Sequence, residues 1–172
     1  MTNYGFDNWD LRPFFQGPDQ EDYLAYFAAV QEQVGEMISR KQAPQSLEDL
    51  SAFLLEFEEL QARLQHMVVY MECVRSEDIA NEVSAQAQSQ LEELGAQFRQ
   101  VEVRLLASLR QLDEEQFKQL CSDPKMKGAE YQLERLRHSA LHSMDSELEN
   151  LAAELDLTGF KAWENLYENI AG

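Results

Sequence analysis

The histidine pair His138 and His142 has the spacing most suggestive of chemistry in this sequence. Four residues apart on a continuous helix, the two imidazoles would share one face, as they do in the helix of many hydrolytic zinc sites. Those sites place a Glu directly after the first His, where its carboxylate takes a proton from zinc-bound water. Here that position is Ser139, and no third ligand can be named. We therefore predict that both histidines are surface or helix-capping residues.

No other set of side chains in the sequence forms a recognisable catalytic group. A glycine-rich phosphate loop is absent, and no Ser, Thr or Cys lies beside a plausible base with an orienting acid. Adjacent glutamates at positions 58–59, 92–93 and 114–115 are typical of solvated helix faces, because neighbours in sequence point in different directions. We predict no catalytic residue, no cofactor-binding residue and no metal ligand in this chain.

The charge balance and the two cysteines restrict the possible partners and compartment. The formal net charge is −18, which disfavours binding to the phosphate backbone of nucleic acids. No apolar run approaches the roughly 20 residues that span a bilayer, so we predict no membrane insertion. Cys73 and Cys121 are isolated and imply no disulfide framework, which favours a reducing, cytoplasmic location.

Two long apolar patterns predict a helical hairpin over residues 47–112. In each pattern, apolar side chains recur every three or four residues and so lie on one helix face. The first comprises Leu47, Leu50, Leu54, Phe57, Leu60, Leu64, Met67, Met71 and Val74, and the second Ile79, Val83, Ala87, Leu91, Leu94, Phe98, Val101, Leu105, Leu109 and Leu112. A polar break at residues 76–78 separates them, and so short a connection favours antiparallel packing.

Shorter helices are predicted on both sides of the hairpin. Asp19 is a candidate N-cap for a helix that ends near residues 40–41, and Ser46 is a candidate N-cap for the hairpin. Asp113 should cap a short helix that reaches Cys121. The first of these helices should bury Tyr23, Leu24, Phe27, Val30, Val34, Met37 and Ile38.

Three more helices are predicted after a basic turn at residues 122–128. One spans residues 131–141 with Leu133, Leu136 and Leu141 inward, one follows Ser143 and carries Leu148, Leu151 and Leu155, and one follows Thr158 with Phe160, Trp163, Leu166, Tyr167 and Ile170 on its apolar side. No alternating strand pattern persists anywhere. The predicted fold is therefore all-α, a helical bundle without a sheet, in a single domain over residues 1–172.

The first 17 residues are rich in aromatic side chains and lack helical periodicity. They include Tyr4, Phe6, Trp9, Phe14 and Phe15, and proline or glycine interrupts them at Pro13 and Gly17. Such a segment is expected to lie across the surface of a larger body, held by its rings. A ligand-binding aromatic cage is the alternative.

Three stretches of the sequence resemble the N-terminal region of the oligoendopeptidase F (PepF) metallopeptidases. The first is Trp9-Asp10-Leu11; the second runs from Leu136 to Glu149, with His138 near its start; the third is the spacing of Gly159, Ala162, Trp163, Leu166 and Tyr167. The third is the most specific. Together with the long hairpin, the resemblance extends over essentially the whole chain.

The resemblance implies a role without catalytic residues. In that family the zinc and the His-Glu-x-x-His motif belong to a later catalytic domain, which we expect beyond Gly172 and which is absent here. The helical region then scaffolds the enzyme or walls a channel for short peptides. Its expected partners are its own catalytic domain and those peptides, and the chain alone is expected to be inactive.

A free-standing acidic module that binds another protein is the alternative hypothesis. The aromatic residues at both ends of the chain distinguish the two. In a domain separated from its catalytic partner these residues should be exposed, and in a free-standing module they should be buried internally. Trp163 is the most informative of them, because it should anchor the last helix either to the core or to a neighbouring domain.

Overall fold

A computed structural model describes residues 10–40, 44, 46–78, 81–142 and 144–171. In order, its helices are α1 (Glu21–Ser39), α2 (Leu47–Glu77), α3 (Glu82–Gln111), α4 (Glu114–Cys121), a 3₁₀ turn (Pro124–Met126), α5 (Glu130–His142), α6 (Ser146–Thr158) and α7 (Phe160–Ala171). No strand occurs among these described residues. The predicted all-α fold is confirmed.

The hairpin of α2 and α3 is the centre of the molecule. The rings of Phe57 and Phe98 stack with centroids 4.8 Å apart. Further along α2, a methyl group of Leu64 lies 4.0 Å from the position that a Cβ atom on Gly95 of α3 would occupy. Leu64 follows Phe57 on α2, whereas Gly95 precedes Phe98 on α3. Contacts therefore move forward along α2 as they move backward along α3, which is the antiparallel arrangement predicted from the short connection. Met67, Met71, Leu94 and Leu105 complete the inner face with almost no exposed surface; further core residues are Leu60, Leu91, Val101 and Leu109.

Two of the predicted caps form as local sequence dictates. The Ser46 hydroxyl accepts a hydrogen bond from the Asp49 backbone N–H at 3.1 Å. Asp113 and Gln116 form a reciprocal capping box at the start of α4, with each side chain accepting from the other residue's backbone N–H. These bonds satisfy donors that the first turn of a helix would otherwise leave unpaired.

Several predicted boundaries were wrong. Asp19 does not cap α1: Gln20 occupies the cap position without a side-chain bond, and the Asp19 carboxylate accepts from the Gln20 side chain instead. The break in the hairpin begins at Asp78 and not at Ser76, because α2 continues through Glu77, and Asn81 caps α3. Ile79, assigned to the second pattern, lies outside the described residues.

The boundaries around α6 also differ from the prediction. Asp145 caps this helix by accepting from the Leu148 N–H at 3.1 Å, whereas Ser143 lies outside the described residues. The last helix follows Thr158, as predicted, but Thr158 is itself the last residue of α6, and Gly159 alone separates the two helices. The reason is that the Thr158 hydroxyl bonds back to the Leu155 carbonyl, so it does not serve as an N-cap.

The amino-terminal segment is held to α1 and α2 by aromatic contacts. Phe15 is buried, and its ring lies 5.3 Å from Tyr23, 5.4 Å from His66 and 4.9 Å from Tyr70, between centroids. Phe14 is more exposed, and its ring makes a T-shaped contact with His66, with centroids 5.7 Å apart. The predicted strap is thus confirmed for residues 10–17, while Tyr4, Phe6 and Trp9 lie outside the described residues.

Arginine and aspartate side chains join distant parts of the bundle. Arg104 on α3 donates to the carbonyls of Met37 and Arg40, which lie at the end of α1. The Ser51 hydroxyl on α2 donates to the Asp123 carboxylate at 2.8 Å and so ties the 3₁₀ turn to the hairpin. Both α5 and α6 pack against α3.

Three apolar residues predicted to face inward are exposed. Leu24 on α1, Val83 at the start of α3 and Leu141 at the end of α5 each leave nearly half or more of their surface in solvent. Helical periodicity identified the apolar side of each helix correctly. It could not show how far along that side a neighbouring helix extends.

Candidate docking surface

The last two helices expose nearly all of their large apolar side chains. We call this the α6–α7 surface; it comprises Leu148, Leu151, Leu155, Phe160, Trp163, Leu166, Tyr167 and Ile170. Trp163 is 72% exposed and Ile170 is 77% exposed. Single exposed apolar residues are ordinary, but a group this large usually marks an interaction site.

The exposed residues of each helix share one face. At 100° per residue, Leu148, Leu151 and Leu155 fall within an arc of about 60° on α6. Phe160, Trp163, Tyr167 and Ile170 fall within about 80° on α7. Each helix is therefore amphipathic, and its apolar stripe faces solvent.

A polar contact with α3 shows which side of α6 faces the hairpin. Arg99 on α3 donates to the Asp156 carboxylate at 3.1 Å, and both side chains are about one-third exposed. Asp156 and the half-buried Ala153 mark the side of α6 that faces α3. Because the leucine stripe lies on another side of the helix, packing α6 against α3 leaves that stripe outward.

Gly159 sets the angle between α6 and α7. A Cβ atom at this position would lie 2.8 Å from the Leu155 carbonyl oxygen, closer than real Cβ contacts allow. The Gly159 N–H donates to that same oxygen at 2.8 Å, which brings the two backbone segments together. A glycine is therefore required for this joint, and the joint fixes the direction of the α7 stripe.

A cleft lies between α4 and α5, the two helices that precede the α6–α7 surface in sequence. We call it the α4–α5 cleft; it has a volume of about 760 Å³ and is lined by Glu114, Phe117, Lys118, Cys121, Ser122, Glu130, Glu134, Arg137, His138 and Leu141. The Arg137 guanidinium lies 4.4 Å from the centroid of the Phe117 ring. It also approaches Glu114 at 3.3 Å and donates to the Leu112 carbonyl.

The histidines occupy the positions expected of surface residues. His138 and His142 stack with ring centroids 4.3 Å apart, and His142 Nδ1 lies 2.8 Å from the His138 carbonyl oxygen. His66 packs against the amino-terminal aromatic rings. Within the described part of the chain, no three His, Cys, Asp or Glu side chains are arranged to hold a metal ion. These residues do not fit a zinc site, and the absence of metal ligands stays a prediction.

The cysteines are free thiols, as the sequence predicted. Cys73 on α2 and Cys121 on α4 are each half-buried. Burial is the main reason that the pKa of the Cys121 thiol is raised, and the nearby carboxylates of Glu134 and Glu130 add to the effect. Among the described helices, none has the length and apolar character needed to span a bilayer.

Comparison with protein families supplies the context for the α6–α7 surface. Residues 109–172 match the family model described as Oligopeptidase F. Over these residues the chain is similar to the N-terminal domain of the oligopeptidase F peptidases. The match confirms the resemblance over somewhat more than a third of the chain, from the end of α3 through α7. Comparisons with curated proteins and with solved structures gave no match.

The matched residues 109–172, which we call the oligopeptidase F segment, contain both the α4–α5 cleft and the α6–α7 surface. This segment includes the whole of that surface, with Gly159, Trp163 and Tyr167 in the spacing recognised from sequence. The sequence signal for the surface was therefore present. The α4–α5 cleft and the Arg99–Asp156 pair were missed, because each depends on residues that come together only through packing.

Proposed function

We propose that this chain acts as the non-catalytic N-terminal domain of an oligopeptidase F-type zinc peptidase. In this proposal the α6–α7 surface packs against the catalytic domain. The α2–α3 hairpin then forms part of the wall of a channel that admits short peptides. The observation that carries the proposal is the exposed apolar surface within the oligopeptidase F segment.

The size of the exposed side chains supports docking to a large partner. Moving a large apolar side chain out of water stabilises an interface by about 1.5–3 kcal/mol when burial is complete. Trp163, Phe160 and Tyr167 are aromatic, and tryptophan and tyrosine are enriched among residues that dominate binding energies. The surface therefore offers a concentrated set of anchors.

The catalytic groups belong, in this proposal, to the partner. The described residues do not fit a zinc site, and His138 is followed by Ser139 where a general base would be needed. This chain would contribute shape and access control, with no group in contact with the reacting atoms. Alone, it should cleave no peptide.

The experiment is a binding measurement between the 172-residue chain and a separately purified oligopeptidase F catalytic domain. Sedimentation velocity should show a one-to-one complex. Leu151→Arg, which places a charge in the α6–α7 surface, should abolish the complex. Leu24→Arg is the matched control, because Leu24 on α1 is 49% exposed and Leu151 is 50% exposed.

Two results would contradict the proposal. If both arginine variants bind as tightly as the unmodified chain, the α6–α7 surface is not the interface. If the unmodified chain does not bind the catalytic domain, the domain role fails. A free-standing module that uses the α6–α7 surface for an unrelated partner would then be the better account.

A further inference from the structure

The α4–α5 cleft has the dimensions of a binding site. Its volume of about 760 Å³ lies within the roughly 300–1,000 Å³ typical of ligand pockets. Phe117 and Leu141 provide apolar surface, and Glu130 and Glu134 provide carboxylates. A cleft with this lining suits a group that combines an apolar stem with a positive end.

The charges in the cleft do not cancel. Glu114 is paired with Arg137, whose guanidinium is also held by Phe117 and the Leu112 carbonyl. Of the remaining lining groups, Glu130 and Glu134 carry negative charge and Lys118 carries positive charge. One negative charge is therefore left in excess, within a chain whose formal net charge is −18.

Local hydrogen bonds keep one of these carboxylates ionised. Backbone N–H groups of Gly128 and of Glu130 itself lower the pKa of the Glu130 carboxyl. The Cys121 thiol, with its raised pKa, is uncharged at neutral pH. His138 lines the same cleft at its α5 wall. The cleft is therefore anionic on its α5 side.

The cleft reaches the last turn of α5, where Leu141 is one of its lining residues. Leu141 lines the cleft and is exposed, and exposed Met144 follows it just before α6. Both α5 and α6 pack against α3, and exposed Leu141 and Met144 lie in sequence between the cleft and the leucine stripe of α6. A partner that covers α6 and this connection would also reach the cleft.

We propose that the α4–α5 cleft receives a lysine or arginine side chain of the partner domain. Its aliphatic stem would lie against Phe117 and Leu141, and its cationic end would lie beside Glu130 and Glu134. This inference rests on the proposed function, because the partner is the catalytic domain that packs on the α6–α7 surface. The inference specifies the surface of that catalytic domain: an apolar face that covers the α6–α7 surface, with a basic side chain next to it.

Cys121 provides a direct measurement of cleft occupancy. The full chain is treated with N-ethylmaleimide alone and with an excess of the oligopeptidase F catalytic domain, and labelled peptides are quantified by mass spectrometry. Labelling of Cys121 should slow severalfold in the complex. Cys73, a half-buried thiol on α2, is the internal reference and should react at an unchanged rate.

A charge reversal tests the role of the carboxylates. Glu134→Lys should weaken binding by about tenfold or more, the range expected when a hydrogen bond to a charged group is lost. Glu72→Lys is the matched control: it makes the same change of charge at an exposed position on α2 and should bind like the unmodified chain.

The outcomes separate this inference from the proposed function. A complex that forms while Cys121 remains fully reactive, with Glu134→Lys and Glu72→Lys binding equally, overturns the inference and leaves the docking role intact. Failure of the unmodified chain to bind overturns both. Protection of Cys121 together with selective weakening by Glu134→Lys supports the inference.

Discussion

The guanidinium of Arg99 on α3 and the carboxylate of Asp156 on α6 meet at 3.1 Å, and this pair holds α6 against the hairpin. Both groups are about one-third exposed, so the pair alone adds little to global stability. Its importance is geometric. It marks the side of α6 that faces α3, and the leucine stripe lies on another side of the helix and faces solvent.

Removing this pair should loosen α6 without unfolding the bundle. Arg99→Ala should change the free energy of unfolding by about 1 kcal/mol or less, as is usual for partly exposed pairs. Backbone amides of α6 should nevertheless exchange faster with deuterium. Arg40→Ala, which removes the exposed pair between Arg40 at the end of α1 and Glu56 on α2, is the control. Unchanged exchange in α6 would show that other contacts position the helix.

Replacing Trp163 should leave the stability of the isolated chain almost unchanged. Because the indole is 72% exposed, Trp163→Ala should alter the free energy of unfolding by no more than about 0.5 kcal/mol. Phe57→Ala, in contrast, removes a ring that is 5% exposed and should cost about 3–5 kcal/mol. Urea unfolding measures both. A loss for Trp163→Ala comparable with that for Phe57→Ala would mean that the indole anchors α7 to the core.

A methyl group at Gly159 should redirect α7. The added Cβ would clash with the Leu155 carbonyl oxygen at 2.8 Å, so the backbone must move at the joint. Gly159→Ala should therefore weaken binding to the catalytic domain while helix content, measured by circular dichroism, stays the same. In Gly35→Ala, the control on α1, the new methyl has no neighbour within 4 Å and should not affect binding. Normal binding by Gly159→Ala would show that the angle of α7 is unimportant.

The Asp123 carboxylate makes the stability of the bundle depend on pH in the acid range. Its pKa is lowered by the hydrogen bond from the Lys125 backbone N–H and by that from the Ser51 hydroxyl. Since the folded state holds this proton less tightly than the unfolded state, the stabilisation is present above the ordinary pKa of 3.8 and is lost as pH falls through the lower, folded-state pKa.

Asp123→Asn should accordingly reduce the loss of stability on acidification. Urea unfolding at a series of pH values from neutral to acid would show a shallower decline for this variant than for the unmodified chain. Ser51→Ala should show a smaller change in the same direction, because the stronger backbone bond from Lys125 remains. Parallel pH profiles for all three proteins would contradict the assignment.

The sequence predicted the features that depend on neighbouring residues. Ser46 and Asp113 are followed three residues later by the groups that complete their caps, so both helix starts could be recognised. Apolar periodicity likewise identified Phe57 and Phe98 as inward-facing on the hairpin. Asp19 was wrongly predicted to be the N-cap of α1. Its carboxylate accepts a hydrogen bond from the Gln20 side chain, and helix propensity alone does not reveal that contact.

Features that depend on distant residues could not be predicted. Arg99 and Asp156 are separated by 57 positions, and nothing local to either indicates the other. The α4–α5 cleft exists because two helices are held apart at a particular distance, which no periodic pattern encodes. For the same reason, periodicity assigned Leu141 to an apolar face without showing that the face remains uncovered.

The central claim is that the α6–α7 surface becomes buried against a catalytic domain. Hydroxyl-radical footprinting of the full chain, alone and with a purified oligopeptidase F catalytic domain, measures this directly. Phe160, Trp163 and Tyr167 should be oxidised readily in the isolated chain and protected in the complex. Phe14, exposed on the α1–α2 side, should react equally in both states. A complex in which Phe160, Trp163 and Tyr167 stay as reactive as in the isolated chain would contradict the account.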